Sequence, residues 1–320
     1  MQRVLITGGS GFVGTSVIKL LATTGSCDVS IATRKQIDLS VSGHLIPLTN
    51  HLNWDVRHAT DAEPNFDVII HAATPASASL NNSDPREMFK IIVQGMENVI
   101  EFASRHQKPP TVLFTSSGAV YGDIPESISN VPEDWNGAVA SYQPSSAYAE
   151  GKRGAEFLLS VATSRGICKG LLARMFAFSG VNLPMDRHFA IGNFVRDAVS
   201  TRTVRVRSDG SSIRSYMDQQ DMAHWLVRIL EVGQTEVIYH VGSERAISIR
   251  DLAYLIALRT EEILQQKITV EVQGLKSSID GVSRYVPSTL ATRKALKVNE
   301  TISLEESIDA MIHKAIQEYL

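Results

Sequence analysis

The sequence predicts an α/β protein: a doubly wound parallel sheet followed by a smaller C-terminal α/β lobe. Three observations predict it. Short apolar runs recur at residues 4–7, 29–33, 68–71, 112–116 and 170–175. Amphipathic helical stretches separate several of them, and alternation of this kind builds parallel sheets. The first run then ends in a glycine-rich turn, Leu-Ile-Thr-Gly-Gly-Ser-Gly-Phe-Val-Gly, at residues 5–14.

In that turn Gly8, Gly11 and Gly14 fit a GxxGxxG spacing, and Gly9, Gly11 and Gly14 fit GxGxxG. Either spacing removes Cβ atoms where backbone must approach a pyrophosphate. The helix that follows, residues 12–24, carries Val13, Val17, Leu20 and Leu21 on one face and turns its N-terminal amides toward the anion. Phe12 and Val13 join the glycines as candidate cofactor contacts. Strand 29–33 ends in Arg34-Lys35. An NAD-specific fold carries an acidic residue there, about 20 positions beyond the glycine turn. A carboxylate would repel a 2′-phosphate, whereas a guanidinium grips it with paired hydrogen bonds. Arg34 and Lys35 therefore point to NADP(H), with NAD(H) as the alternative; two solvated loop charges are the competing explanation. Asp38 lies too far on to be a ribose ligand.

The strand at 68–71 ends at His71, which is expected to shape the pocket. The strand at 112–116 runs into Thr-Ser-Ser-Gly-Ala-Val-Tyr-Gly, which puts hydroxyls at the carboxyl end of a parallel strand, where such sheets bind ligands. Helices at 86–105 and 146–164 have long apolar faces that suit packing on the sheet or a helix-helix dimer. Tyr148 and Lys152 lie four apart at the start of the second, behind a cap expected at Ser145 or Ser146, so both project from one face. After Arg174 the pattern loosens. We expect a dinucleotide-binding domain over 1–175 and a substrate-binding lobe over 176–320, with 237–242 a candidate to return to the main sheet.

Bulk properties narrow the partners. The formal net charge is -3 and the basic residues form no dense run, which argues against nucleic acid and against a membrane surface. No stretch approaches a membrane span, and the first residues run into a strand too short for a signal peptide's apolar core. Cys27 and Cys168 have no metal or disulfide spacing and are expected to be buried, reduced thiols. A cytoplasmic protein without a metal site is the expectation.

Taken together, the glycine turn, Asp55, His71-Ala72-Ala73, the Ser117, Tyr148 and Lys152 set, Arg174, Asp209-Gly210, Arg214 and Tyr239-His240-Val241-Gly242 resemble the extended short-chain dehydrogenase/reductases. These are Rossmann-fold, NAD(P)-dependent nucleotide-sugar epimerases, dehydratases and reductases. The resemblance implies that Ser117 is the triad hydroxyl, Tyr148 the acid/base and Lys152 the ligand of the nicotinamide ribose. Elementary chemistry agrees, since a phenol with pKa about 10 is a poor acid/base near neutrality until an ammonium lowers it. The resemblance further implies that Asp55 and Val56 meet the adenosine, that Ala72 and Ala73 line the cofactor, and that Ser116, Gly118, Asn193, Arg214 and Arg284 contact a nucleotide sugar. A homodimer is the family-level expectation.

Two departures matter. In the sugar 4,6-dehydratases the triad hydroxyl is followed by Asp and Glu, which carry out elimination at carbons 5 and 6; here Gly118 and Ala119 stand there. The family's Asn residues before its helix Gly and after its Arg are replaced by Ile92, ahead of Gly95, and Ala177. The sequence thus reads as an NADPH-dependent 4-ketoreductase of a nucleoside-diphosphate 4-keto-6-deoxyhexose. An NAD-dependent 4-epimerase is the alternative; a 4,6-dehydratase or a non-catalytic nucleotide-sensing protein ranks behind both.

Overall fold

The computed structural model describes residues 1–25, 27–34, 40–41, 44–45, 50–75, 77–186, 189–274 and 283–320. Its main sheet has seven strands: β1 (Gln2–Thr7), β2 (Cys27–Thr33), β3 (Asn50–Asn53), β4 (Val68–His71), β5 (Thr111–Ser117), β6 (Lys169–Met175) and β7 (Ile238–Val241). All neighbours pair in parallel, in the order β7-β6-β5-β4-β1-β2-β3. The apolar runs dictate this placement, because a parallel strand buried on both faces needs apolar residues at consecutive positions. Val4, Leu5 and Ile6 of β1 are all buried, as are Val68, Ile69 and Ile70 of β4.

The longer helices are α1 (Phe12–Thr24), α2 (Pro85–Ser104), α3 (Ala147–Ser164), α4 (Ala190–Thr201), α5 (Gln219–Val232), α6 (Ile249–Leu264) and α7 (Leu304–Tyr319). Side-chain alternation along β1 divides them between two layers. Val4 and Ile6 pack with Val17, Ile18 and Leu21 of α1 and with Trp225, Leu226 and Ile229 of α5. Leu5 faces the other way, toward Met88, Ile92, Met96 and Val99 of α2 and Ala155 and Leu159 of α3. A separate core holds α4, α6 and α7 with the paired strands Thr203–Val206 and Thr269–Val272. The C-terminal half therefore supplies both that core and part of the sheet layer, through β7 and α5. No helix among the described residues is long and apolar enough to cross a membrane.

Cys27 opens β2 and Cys168 precedes β6; they form no disulfide. Cys168 is buried, which pushes its thiol up to about 11. Cys27, expected to be buried, is half-buried.

The chain enters at the middle of the sheet, builds outward to β3, then crosses to β4 and builds outward again. The direction changes between β1 and β4. A crevice opens outside the carboxyl ends of parallel strands at such a switch point, and the glycine turn and His71 sit at those two ends.

Candidate active site

The glycine turn is shaped by contacts that only missing side chains permit. Gly8 has φ +71°, and a Cβ on it would lie 2.7 Å from the Ala72 carbonyl oxygen; a Cβ on Gly14 would lie 2.5 Å from the Gly8 oxygen. The ends of β1 and β4 thus meet backbone to backbone. Gly11 sits at the N-cap of α1 and makes no side-chain cap, so the first-turn amides of α1 stay available to an anion. A cleft of about 900 Å³ starts at Ser10–Thr15, including Gly11, Phe12, Val13 and Gly14. It runs past Ala72 and Thr74 to Ser117, Tyr148 and Lys152, then on to Asn193 and Arg214 of the C-terminal half. The side-chain-free cradle fits a dinucleotide pyrophosphate. Gly8 and Ala73 stand behind this wall and support it, with the Gly8 Cβ position only 2.8 Å from the Ala73 Cα.

At the far end of the cradle, α3 brings Tyr148 and Lys152 together one turn apart. Ser146 holds the N-cap position of α3, as expected, but not as a side-chain cap. Its hydroxyl donates to the Ala140 carbonyl. The Tyr148 amide donates to Asn81 Oδ1 at 2.9 Å, while Asn81 Nδ2 donates to the Ser145 carbonyl. Asn81, from the short helix Ala78–Ser83, therefore does the capping.

Lys152 is 2% exposed. Its ammonium donates to Thr74 Oγ1 at 3.0 Å and to the Thr115 carbonyl at 2.7 Å, and lies 4.7 Å from the centre of the Phe114 ring and 5.8 Å from that of Tyr148. Burial lowers its pKa to about 7, against the opposing pull of Glu156. Burial also raises the Tyr148 phenol, against a smaller lowering influence from Ser117. Ser117 ends β5; its Oγ accepts the Ala119 amide at 3.1 Å and lies 3.3 Å from the Tyr285 hydroxyl. His71 bonds Thr7 Oγ1 at 2.8 Å through Nδ1 and stacks on Phe114. Burial and, less, the Lys152 charge hold it neutral, with a pKa near 3. It supports the ring under Lys152 and has no proton to offer near neutrality.

A neutral phenol, a lysine balanced near neutrality and a serine hydroxyl at the mouth of a dinucleotide cradle form a set that can move a proton beside a hydride. The model of the NAD dependent epimerase/dehydratase family matches residues 4–242, which spans the turn, the triad and β7. The chain belongs to this family. Its relatives include UDP-glucuronic acid decarboxylase 6 of Arabidopsis thaliana, 26% identical over 97% of this chain and 88% of that protein. Among solved structures, RMD from Pseudomonas aeruginosa complexed with NADPH superposes with a TM-score of 0.81 at 22% identity, covering 99% of this chain and 100% of that one. UDP-glucuronic acid 4-epimerase from Bacillus cereus, in complex with UDP-glucuronic acid and NAD, gives 0.80 at 18% identity, with the same coverage of both chains.

Several residues matched to the epimerase/dehydratase family's motifs stand apart from the cleft. Asp55, expected at the adenine, is gripped by Arg57: Nη2 lies 2.6 Å from Oδ2 and Nε 3.0 Å from both oxygens. The bonds from Arg57 hold the Asp55 carboxyl below its ordinary range, with a smaller contribution from Arg34. Val56 is a core residue whose carbonyl accepts from Asn98. Arg34 is exposed just beyond β2, and Lys35 and Asp38 lie outside the described residues.

On the substrate side, the Ser116 hydroxyl is committed to Glu156 at 2.5 Å, and Glu156 pairs with Arg174 at 2.7 Å. Gly118, expected to touch substrate, is buried instead beneath Phe176 and Tyr285. Arg284 points away from the cleft to the Ser129 carbonyl and, at 3.5 Å, to Asn130 Oδ1. Asn193 lines the cleft and accepts from Arg196. Arg214 also lines it; its guanidinium donates only to neutral oxygens of Ile213 and Ser283 among the described residues, and burial lowers its pKa. Thr74, Asn81, Arg57 and Tyr285 were not foreseen. The first stands one residue past His71-Ala72-Ala73, and the last is the strand neighbour of Arg284.

Proposed function

We propose that the protein is an NADPH-dependent reductase acting on a nucleoside-diphosphate 4-keto-6-deoxyhexose. The observation that carries this reading is the array around Tyr148: the buried Lys152 ammonium lies 5.8 Å from its ring, and the Ser117 hydroxyl at the end of β5 lines the same cleft. Reducing a ketone requires a hydride on carbon and a proton on oxygen. Bound nicotinamide supplies the hydride. Tyr148, kept protonated by burial, gives its proton to the carbonyl oxygen, which Ser117 orients. The phenolate left behind is stabilised by the Lys152 ammonium, and its charge in turn draws the lysine toward its protonated form.

Gly11, Phe12, Val13 and Gly14 would hold the pyrophosphate, with Ala72, Tyr148 and Lys152 along the nicotinamide ribose and Gly8 and Ala73 supporting the wall from behind. Arg34 would take the 2′-phosphate. Arg214, a half-buried cation with no carboxylate partner among the described residues, suits the sugar diphosphate, beside Asn193. Net reduction is supported by Arg34 and by the NADPH of the Pseudomonas aeruginosa neighbour, and the lack of any carboxyl group at Gly118 and Ala119 argues against 4,6-dehydration. A second reading, an NAD-retaining enzyme that oxidises and re-reduces its sugar at carbon 4, draws on the Bacillus cereus 4-epimerase and the decarboxylase relatives.

Denaturing freshly purified protein and identifying the nucleotide it releases separates the two. The reductase reading predicts an empty or exchangeable site that prefers NADPH over NADH. Stoichiometric retained NAD contradicts it and selects the second reading.

A further inference from the structure

We propose that Tyr285 is a positioning residue for this reaction, fixing the Ser117 hydroxyl beside Tyr148; the proposal rests on the triad reading above. Tyr285 comes from the C-terminal half. The short strand Arg284–Tyr285 pairs in parallel with Ile213–Arg214, aligning Tyr285 with Arg214. This carries the phenol to the end of β5, where its hydroxyl donates to the Met175 carbonyl at 3.2 Å and lies 3.3 Å from Ser117 Oγ. A phenol has one proton and a carbonyl can only accept. With that proton on Met175, the Tyr285 oxygen is left to receive the proton of Ser117. Until substrate binds, Ser117 is thereby held on two sides, accepting from the Ala119 amide and donating to Tyr285. Its proton turns to the carbonyl oxygen when the ketone arrives.

The ring itself is fixed by Phe176, with centroids 4.8 Å apart, and burial keeps its phenol protonated. Gly118 belongs to the same arrangement. A Cβ there would lie 2.6 Å from two ring carbons of Phe176 and 2.9 Å from the Tyr285 oxygen. The space in which an acidic side chain at 118 would begin is filled by the Phe176 edge and the Tyr285 hydroxyl, so this placement of Tyr285 requires glycine at 118.

Tyr285→Phe keeps the ring and removes only the hydroxyl. With the nucleotide sugar varied, kcat should fall about tenfold while KM stays within about twofold. Because Tyr285 acts through Ser117, adding Tyr285→Phe to Ser117→Ala should cost less than about twofold more. Gly118→Ala, which pushes on the same hydroxyl, should reproduce the loss. Wild-type kcat in Tyr285→Phe, or effects that multiply in the double variant, overturns the proposal.

A second readout needs neither cofactor nor substrate: ultraviolet difference titration of the Tyr148 phenol, referenced to Tyr148→Phe. Without the Tyr285 oxygen, the Ser117 proton turns to Tyr148, and the titration midpoint should move down. An unchanged midpoint overturns the proposal. If the wild-type protein consumes no NADPH with a keto sugar, the reductase reading fails on that result alone, and the titration still decides the role of Tyr285.

Discussion

Tyr148 and Lys152 are each displaced from their ordinary titration by the same cause. Burial raises the phenol and brings the ammonium down to about 7, so the phenol stays neutral and the lysine is balanced near neutrality until charge develops on the tyrosine. That pair was legible in the sequence because an i, i+4 spacing on a helix is local information. Tyr285 was not, because its contact with Ser117 depends on how the C-terminal half docks. Arg284 shows the same limit from the other side. Adjacent strand residues point to opposite faces, so the strand that turns Tyr285 into the cleft turns Arg284 out to Ser129. Arg34 carries the prediction at this scale. Arg34→Ala should weaken NADPH binding about tenfold or more while NADH changes within about twofold, since a charge-assisted phosphate contact contributes about 1.5–3 kcal/mol. Equal losses for both nucleotides, measured by titration, would falsify the 2′-phosphate assignment.

Among the elements, α3 matters most, because its first turn holds Tyr148, the proposed acid/base. The expected span, 146–164, is close to the observed Ala147–Ser164, since the apolar periodicity that defines it runs along its own length. Its N-cap position falls on Ser146 as expected, but the capping bond does not come from that serine: Asn81 reaches the Tyr148 amide from a neighbouring helix, a contact the local sequence does not carry. Asn81→Ala removes both that cap and the bond to the Ser145 carbonyl. The variant should lose about 1 kcal/mol of unfolding free energy in urea and turn over more slowly, because the released amide belongs to the proposed acid/base, Tyr148. Undiminished stability would mean that water or the 3₁₀ turn Pro144–Ser146 replaces the cap. The glycine turn needed no side-chain partner. Its constraint is close approach: a Cβ on Gly14 would meet the Gly8 oxygen, and one on Gly8 would meet the backbone of Ala72.

In the whole molecule, a parallel sheet with its direction change between β1 and β4 sets the cleft, and the C-terminal half closes it. Two buried histidines tie that frame to pH. His71 bonds Thr7 across the switch point, and His240 of β7 bonds Tyr121 at 2.5 Å and the Ser288 carbonyl at 2.8 Å. Burial holds them neutral, with pKa values near 3 and 4. The unfolded chain takes up their protons near pH 6.5, so between about 6.5 and 4 it binds more protons than the folded one. Stability should fall with falling pH there, by at most about 1.4 kcal/mol per unit for each histidine. Urea midpoints measured across that range should show the decline, and His240→Gln should make it shallower; midpoints independent of pH would contradict the neutral, buried assignment. The most direct measurement is the stoichiometry of the reaction itself, following NADPH as a nucleoside-diphosphate 4-keto-6-deoxyhexose is added. The reductase reading predicts equimolar oxidation of NADPH and formation of reduced sugar, abolished in Tyr148→Phe. Conversion of a nucleotide sugar with no net consumption of cofactor would contradict it.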